Sequence, residues 1–213
     1  MRLSYALRIA CLLLAPTLLL TACDIKVPTT TPPATTPPPV TTPLTCATPP
    51  TGSFLSIWQG DLTLQAALGC PTSNHPRILP EAWEVATAIQ TFEYGSMVWS
   101  DHIGWYEQPV IYVIYADGTY QRFDDTFDPT VDPASGGETP PAGLLEPVNG
   151  FGKLWRTEAS VRAALGWATT AESGGPGRFQ LFERGDMIWV SPTGETFVFT
   201  GGRVTVFNVP FTE

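Results

Sequence analysis

The chain has 213 residues, of which 43% are hydrophobic, and a formal net charge of −9 at pH 7. Affinity for nucleic acid and for anionic lipid surfaces comes from Lys and Arg, so this acidic balance argues against both kinds of partner. The length allows one or two globular cores in addition to non-globular segments.

Residues 1–22 have the pattern of a secretory signal. Arg2 and Arg8 precede an apolar run over residues 9–20, which Pro16 interrupts. A transmembrane helix needs roughly 20 apolar residues, so this run predicts a cleaved signal peptide and not a membrane span.

The signal ends in Leu20-Thr21-Ala22-Cys23. This tetrapeptide resembles the lipobox of bacterial prolipoproteins. The resemblance implies that cleavage occurs before Cys23, that its thiol carries a diacylglyceryl group, and that the new amino terminus receives an acyl chain such as palmitate. Two or three such chains anchor a protein stably, whereas one binds only reversibly. We therefore expect a lipid anchor on the extracytoplasmic face of a bacterial membrane; the alternative is an ordinary signal peptide followed by a free Cys23.

Residues 23–51 are predicted to be a linker between the anchor and a folded domain. Of the 25 residues from Val27 to Thr51, 19 are Pro or Thr. Such a composition cannot bury enough apolar surface to offset the entropy of folding, and its prolines favour an extended conformation. The threonines leave two alternatives open, an O-glycosylated stalk and an unmodified spacer.

Export from the cytoplasm changes how the remaining cysteines are interpreted. Cys11 lies in the signal and lipidation would occupy Cys23, which leaves Cys46 and Cys70. Two cysteines in an exported domain predict one disulfide, since disulfides persist in oxidising compartments. Two free thiols are the alternative. No metal site is expected, because the two histidines of the chain do not stand at ligand spacing.

The folded part, residues 52–213, contains an internal similarity. Residues 54–73 align with residues 151–170 at a constant offset, and 7 of the 20 positions are identical. The stretch QTFEYGSMVW at residues 90–99 recurs as QLFERGDMIW at residues 180–189, with six identities in ten. The order of these features is the same in both copies, which indicates a duplication.

The duplication predicts two tandem repeats, residues 52–123 and 150–213, joined by an acidic Pro/Gly connector over residues 124–149. Clustered carboxylates could ligate calcium, but their spacing here does not fit a twelve-residue calcium loop. We interpret the connector as a solvated acidic segment. The aspartates concerned are Asp124, Asp125, Asp128 and Asp132.

Each repeat begins with a helical pattern. Apolar residues at helical spacing precede Gly69 in the first repeat and Gly166 in the second. A glycine at this place is expected to end a helix with a positive φ angle. The sequence thus predicts a short amphipathic helical segment at the start of each repeat.

Strand patterns follow the helical segment. Residues 92–99 alternate with a period of two, so that Phe92 and Val98 would share one face of a first strand. A hairpin comes next, with turns at residues 117–118 (Asp-Gly) and 201–202 (Gly-Gly). The predicted fold is therefore α+β and strand-rich, with a short helical segment and a three-stranded antiparallel meander in each repeat.

Both repeats resemble LGFP repeats. The residues concerned are LGCPTS and FEYGSMVW in the first copy, and LGWATTAE and FERGDMIWVSPTGETFVF in the second. The resemblance covers roughly residues 65–123 and 162–207. It implies an exported envelope protein of a bacterium, in which the repeats attach the protein to the cell wall. It implies no particular ligand-contacting residues.

No catalytic motif is present, so we predict no enzyme activity, no catalytic residues and no cofactor. Asp101 and His102 are adjacent, but no activated Ser or Cys accompanies them. Glu93 and Glu183 occupy equivalent positions, and a carboxylate pair hydrolyses glycosides only when held about 5–9.5 Å apart. We interpret these two residues as requirements of the fold.

Aromatic side chains are the candidate ligand-binding groups, because flat rings with polar rims suit the faces of sugars. Trp105 and Tyr106, in a loop unique to the first repeat, are predicted to be exposed. Trp99 and Trp189 are further candidates, with packing against the core as the competing interpretation. Four other rings are predicted to lie in the core: Trp58, Phe92, Trp155 and Phe182.

These observations predict a membrane-anchored extracellular lipoprotein that acts as a non-catalytic binding module and contacts a cell-wall polysaccharide. The alternative is a structural or protein-interaction subunit of an envelope complex. Nucleic acid is excluded as a partner by the charge of the chain.

Overall fold

The fold is given by a computed structural model, which describes residues 42–73, 80–104 and 108–212. Two helices and four strands follow one another, and the same order of elements then recurs. The elements are α1 (Gly52–Gly60), α2 (Leu62–Leu68), β1 (Trp83–Phe92), β2 (Gly95–Ser100), β3 (Val110–Tyr115), β4 (Tyr120–Asp124), α3 (Asn149–Thr157), α4 (Ala159–Leu165), β5 (Ser173–Phe182), β6 (Gly185–Val190), β7 (Glu195–Thr200) and β8 (Arg203–Phe207). Among these described residues, no helix has the length and apolar character required to cross a membrane.

The folded chain has two halves, the first from α1 to β4 (residues 52–124) and the second from α3 to β8 (residues 149–207). In each half, the predicted helical segment is a pair of short helices. Asp61 separates α1 from α2, and its Oδ1 accepts hydrogen bonds from the amides of Thr63 and Leu64 at 2.8 and 3.1 Å. Such a cap satisfies amides that the first helical turn leaves unpaired. Gly69 ends α2 with φ of 77° and Gly166 ends α4 with φ of 71°, which confirms the predicted positive-φ stops.

The prediction of a single strand over residues 92–99 is wrong. Phe92 is the last residue of β1 and pairs with Gly95, the first residue of β2, across a two-residue turn. Residues 182–185 form the same hairpin between β5 and β6. The turn shifts the side-chain alternation by one residue, so Phe92 shares a face with Met97 and not with Val98.

Each half contains four strands, one more than the predicted three-stranded meander. The additional strand arises because the doubled motif contains a turn. The predicted hairpins at Asp117-Gly118 and Gly201-Gly202 are confirmed, and all three of these glycines have positive φ angles.

All eight strands form one antiparallel sheet in the order β4-β3-β2-β1-β5-β6-β7-β8. The sheet curls until it is nearly closed. Tyr112 on β3 stacks on Phe199 on β7 with ring centroids 4.2 Å apart, whereas five steps across a flat sheet would separate these strands by roughly 24 Å. Beyond them, the amide of Val204 donates to the carbonyl of Gly118 at 2.9 Å, so the two edges of the sheet meet at this point.

The concave face of the sheet encloses an apolar core and one buried polar pair. The Tyr112 hydroxyl donates to Oδ2 of Asp186 at 2.8 Å. Burial raises the pKa of the Asp186 carboxyl, and the hydrogen bond from Tyr112 and the charge of Arg122 offset part of this shift. The remaining core side chains are Val85, Ile89, Val98, Val110, Ile114, Phe179, Ile188, Val190, Phe197 and Phe199.

We expect Asp186→Asn to make the protein more stable than wild type near neutral pH. A carboxyl whose pKa is raised on folding stabilises the fold only while it is protonated, so that contribution is lost as the pH rises through the folded-state pKa. The asparagine still offers an oxygen to Tyr112 and carries no charge. Urea unfolding between pH 3.5 and 8 should show the variant gaining on wild type as the pH rises.

The exposed Asp124→Asn is the matched control for this measurement, since Asp124 lies outside the core. A constant difference in the free energy of unfolding between Asp186→Asn and wild type across the whole pH range would contradict the assignment.

The other face of the sheet carries the helices. Each helix pair packs on strands of the opposite half of the folded chain, an arrangement that we call crossed packing. Helices α1 and α2, from the first half, pack on Phe182, Met187 and Val198 of the second half. Helices α3 and α4 pack on first-half strand residues, which are Ala88, Phe92, Met97, Ile111 and Val113. The structure therefore does not show two independent repeat units.

Backbone hydrogen bonds hold each helix pair to the opposite half. The amides of Glu93 and Tyr94, in the β1–β2 turn, donate to Trp167 and Leu165 at 3.0 Å each. The amides of Glu183 and Arg184, in the β5–β6 turn, likewise donate to Cys70 and Leu68 at 3.0 Å. The indole nitrogens of the buried Trp58 and Trp155 donate to the carbonyls of Gly69 and Gly166, so the core prediction for these two rings is confirmed.

The segment that precedes each helix pair is bonded to the rest of the fold, by a disulfide in the first half and by ion pairs in the second. Cys46 and Cys70 form the predicted disulfide, with their Cα atoms 5.6 Å apart. Residues at the end of the predicted linker are thus fixed to the fold, and the amide of Leu44 donates to Oε1 of Gln65. The connector is tied by ion pairs instead and is not simply solvated: Asp132 pairs with Lys153, Glu138 with Arg162, and Glu146 with Arg156.

Candidate functional site

A strip of small residues crosses the helix-bearing face of the sheet between the two helix pairs. It lies on the paired strands β1 and β5, where Ala86 faces Pro176 and Ala88 faces Gly174. Because these side chains are short, the strip is the floor of a depression between the helices. Two clefts open on this floor, and both are lined by Ala86 and Gly175.

The first cleft, which we call the Trp99 cleft, has a volume of about 400 Å³. Ligand sites in proteins typically have volumes of about 300–1,000 Å³. Its apolar walls are the rings of Trp99, Phe127 and Phe151. Its polar groups are the side chains of Asp125, Asn149 and Glu172.

Asp125 is held against the wall of this cleft by two donors. The Trp99 indole nitrogen donates to Oδ2 of Asp125 at 2.8 Å, and the Phe127 amide donates to Oδ1 at 3.0 Å. A β-carbon at Gly150 would lie 2.6 Å from Oδ2, so only glycine leaves room for the carboxylate at this point. The carboxylate and the indole ring are therefore fixed relative to each other.

Glu172 is the second carboxylate of the Trp99 cleft. Burial raises its pKa, the Asp125 charge adds to the increase, and a hydrogen bond from Asn149 opposes it. The donor is the side-chain nitrogen Nδ2 of Asn149, which lies 3.4 Å from Oε2 of Glu172. Asn149 has a φ angle of 51°, which is uncommon for a residue with a β-carbon and is often found at functional sites.

The second cleft, which we call the Trp189 cleft, has a volume of about 450 Å³. The ring of Phe211, in the carboxyl-terminal segment, lies 5.2 Å from the Trp189 ring. The Trp189 indole nitrogen is buried and finds no acceptor within the described ranges. The cleft also contains an ion pair, Arg178 with Glu84, with a nitrogen-to-oxygen distance of 2.6 Å.

Trp99 and Trp189 lie on the same face of the sheet. Trp99 pairs with Ala88 across β1–β2, whereas Trp189 pairs with Arg178, which in turn pairs with Glu84. Four residues along a strand and three steps across the sheet separate the two rings by roughly 20 Å. The doubled motif thus places one tryptophan at each end of the depression.

The other aromatic candidates from the sequence, Trp105 and Tyr106, lie outside the described residues. Glu93 and Glu183 are not brought together, since they lie at opposite ends of the β1–β5 pair. Oε2 of Glu93 accepts from the Trp167 amide at 2.8 Å, which agrees with the interpretation that the fold requires it. Nδ1 of His102 lies 2.9 Å from Oδ1 of Asp101. The same carboxylate accepts a hydrogen bond from the Ala86 backbone amide.

Sequence reasoning did not identify Asn149 or Glu172, and it considered Asp125 only as a calcium ligand. These residues lie in loops and at a helix start, where no periodic pattern marks them. The sequence signal that pointed to the region was the doubled tryptophan. Within residues 42–73, 80–104 and 108–212, no group of three or more His, Cys, Asp or Glu side chains could hold a metal ion.

Comparisons of the chain with protein families, with curated proteins and with solved structures found no match.

Proposed function

We propose that this protein is a lipid-anchored binding module on the extracytoplasmic face of a bacterial membrane, and that the depression between its helix pairs binds a cell-wall glycan without cleaving it. The observation that carries the proposal is the pair of tryptophan-lined clefts on one face of the sheet. Linear glycans present alternating apolar faces and hydroxyl rims, which suit aromatic walls with a few fixed polar groups.

The duplicated sequence supports the same proposal. Two tandem LGFP-like copies would supply one tryptophan each, and two weak contacts on one chain raise the overall affinity for a polymer. A spacing of roughly 20 Å requires a ligand that is extended and longer than a single sugar ring. In this proposal, the Pro/Thr linker carries the fold from the lipidated Cys23 to the wall.

Trp99→Ala and Trp189→Ala are each expected to weaken retention of residues 24–213 on insoluble peptidoglycan by about tenfold or more, because each removes an aromatic side chain that lines a cleft. The measurement is the bound fraction after sedimentation, with circular dichroism to verify the fold. Tyr94→Ala is the matched control, since Tyr94 is 57% exposed at the opposite end of β2. Absence of wild-type retention would exclude glycan binding.

Cys23→Ala is expected to release the full-length protein from the membrane fraction, because the thioether that holds the acyl chains can no longer form. The measurement is partitioning into detergent phase after cell fractionation, and Cys11→Ala is the control that removes a different cysteine without breaking the Cys46–Cys70 disulfide. Unchanged partitioning of Cys23→Ala would contradict the anchor.

A further inference from the structure

The Trp99 cleft contains negative charge that the protein itself does not neutralise. Within the described part of the chain, neither Asp125 nor Glu172 forms an ion pair with Lys or Arg. The connector acids Asp132, Glu138 and Glu146 each have such a partner, and so does Glu84 in the Trp189 cleft. Among the described residues, Asp125 and Glu172 thus bring two carboxylates without a cationic partner into one cleft.

The position of Glu172 is costly for the fold alone. Glu172 is partly withdrawn from water, and its pKa is raised by burial and by the neighbouring charge of Asp125. Two like charges against aromatic walls repel each other, and both gain when a cation enters between them. A perturbed carboxyl such as that of Glu172, located in a cleft, is often found at a ligand site.

The aromatic wall adds a second preference for a cation. The indole nitrogen of Trp99 is already used by Asp125, which leaves the ring itself as the surface that Trp99 presents to the cleft. Ammonium groups are attracted to the faces of tryptophan rings. The carboxylates and the ring thus favour the same chemical group.

We propose that the Trp99 cleft binds a protonated primary amine on a sugar of the glycan, with Asp125 and Glu172 accepting hydrogen bonds from the ammonium group. The occupant is a de-N-acetylated amino sugar, because the cleft is one end of a depression sized for a linear chain. This inference rests on the proposed function, since the sugar carries the amine into the cleft. It goes further in distinguishing free-amine sugars from acetylated ones.

The test compares two tetrasaccharides on the full mature chain by calorimetry: a tetramer of glucosamine and a tetramer of N-acetylglucosamine. We expect the glucosamine tetramer to bind about 10- to 100-fold more tightly, the range of a hydrogen-bonded charge pair. Asp125→Asn with Glu172→Gln should remove this difference, so that the two tetramers bind with equal affinity. Asp125→Asn keeps an oxygen acceptor for the Trp99 indole or for the Phe127 amide but not for both, so circular dichroism must verify the fold of the double variant. Glu172→Gln alone keeps an acceptor for Asn149 and should give a partial loss of the difference.

Glu81→Gln with Glu195→Gln is the matched control, because it removes two acidic charges that do not line the Trp99 cleft. If this control loses as much affinity as the cleft variant, the attraction is non-specific and the inference is overturned. Equal binding of both tetramers, or equally tight binding of the alkylamine cadaverine, would also overturn it while leaving glycan binding intact. Binding of neither tetramer would instead contradict the proposed function.

Discussion

Neither half of the folded chain is expected to fold as a monomer when it is produced alone. In residues 42–127 the strand side chains Phe92, Met97, Ile111 and Val113 would lose the helices α3 and α4 that cover them. Four buried side chains of this size are worth about 1.5–3 kcal/mol each, so the loss is about 10 kcal/mol. This equals the whole stability of an ordinary domain.

Residues 42–127 and 128–212 should therefore each lack a cooperative unfolding transition at low concentration, and should form a one-to-one complex with a native circular dichroism spectrum when mixed. The uncut chain is the control. A folded monomer from either fragment would show that helices can cover their own strands, and would contradict the crossed packing.

Gly185→Ala is expected to destabilise the protein by about 3 kcal/mol, at the upper end of ordinary overpacking. A β-carbon at this position would lie 2.1 Å from the Phe199 carbonyl oxygen and 2.9 Å from a methyl group of Leu68. The carbonyl belongs to the paired strand β7 and cannot retreat without breaking the ladder. The same argument applies to Gly95, whose β-carbon would lie 2.1 Å from the Ile114 carbonyl oxygen.

Gly60→Ala is the matched control, since no atom lies within 4 Å of the added carbon and the residue is helical. It should leave the free energy of unfolding unchanged or raise it by up to about 1 kcal/mol. Urea denaturation of both variants measures the contrast. A Gly185→Ala protein as stable as wild type would refute the close approach of β6 to β7 and α2.

The contacts of the shared residues explain what the doubled motif does in the fold. Gly95 and Gly185 permit close approach, Phe92 and Met97 pack under the opposite helix pair, and Nε2 of Gln90 donates to the Thr170 carbonyl at 3.0 Å. The residues that are identical in both copies therefore mainly form the packing contacts and hydrogen bonds between the two halves of the folded chain. Their tryptophans, at the far end of the motif, are the ones left to line the clefts.

Local features of the fold could be predicted from sequence because local chemistry determines them. The glycine helix stops, the Asp-Gly and Gly-Gly hairpins and the Cys46–Cys70 disulfide all depend on residue types at short range or on a single pair. The prediction of one strand over residues 92–99 was wrong because the turn residues Glu93 and Tyr94 are not of the Asn-Gly, Asp-Gly or Gly-Gly type that marks a tight hairpin turn. The turn became visible only through the pairing of Phe92 with Gly95.

The crossed packing could not be predicted from sequence. The apolar face of an amphipathic helix indicates that this face is buried, but not which half of the sheet it packs against. Both helix pairs have nearly the same apolar pattern, so either could pack on either half. The cleft depends on this choice: helix α3 supplies Asn149, Gly150 and Phe151 to a wall that faces Trp99 of the first half. Sequence reasoning could thus select the tryptophans but not their polar partners.

The indole resonances of the tryptophans test the proposed binding face most directly. In a nitrogen-15 spectrum of the mature chain titrated with soluble peptidoglycan fragments, the signals of Trp99 and Trp189 should shift in a saturable manner. Trp58 and Trp155, which donate to the Gly69 and Gly166 carbonyls in the core, are the internal controls and should not move. An unchanged spectrum at saturating fragment, or shifts that spare both Trp99 and Trp189, would contradict the account.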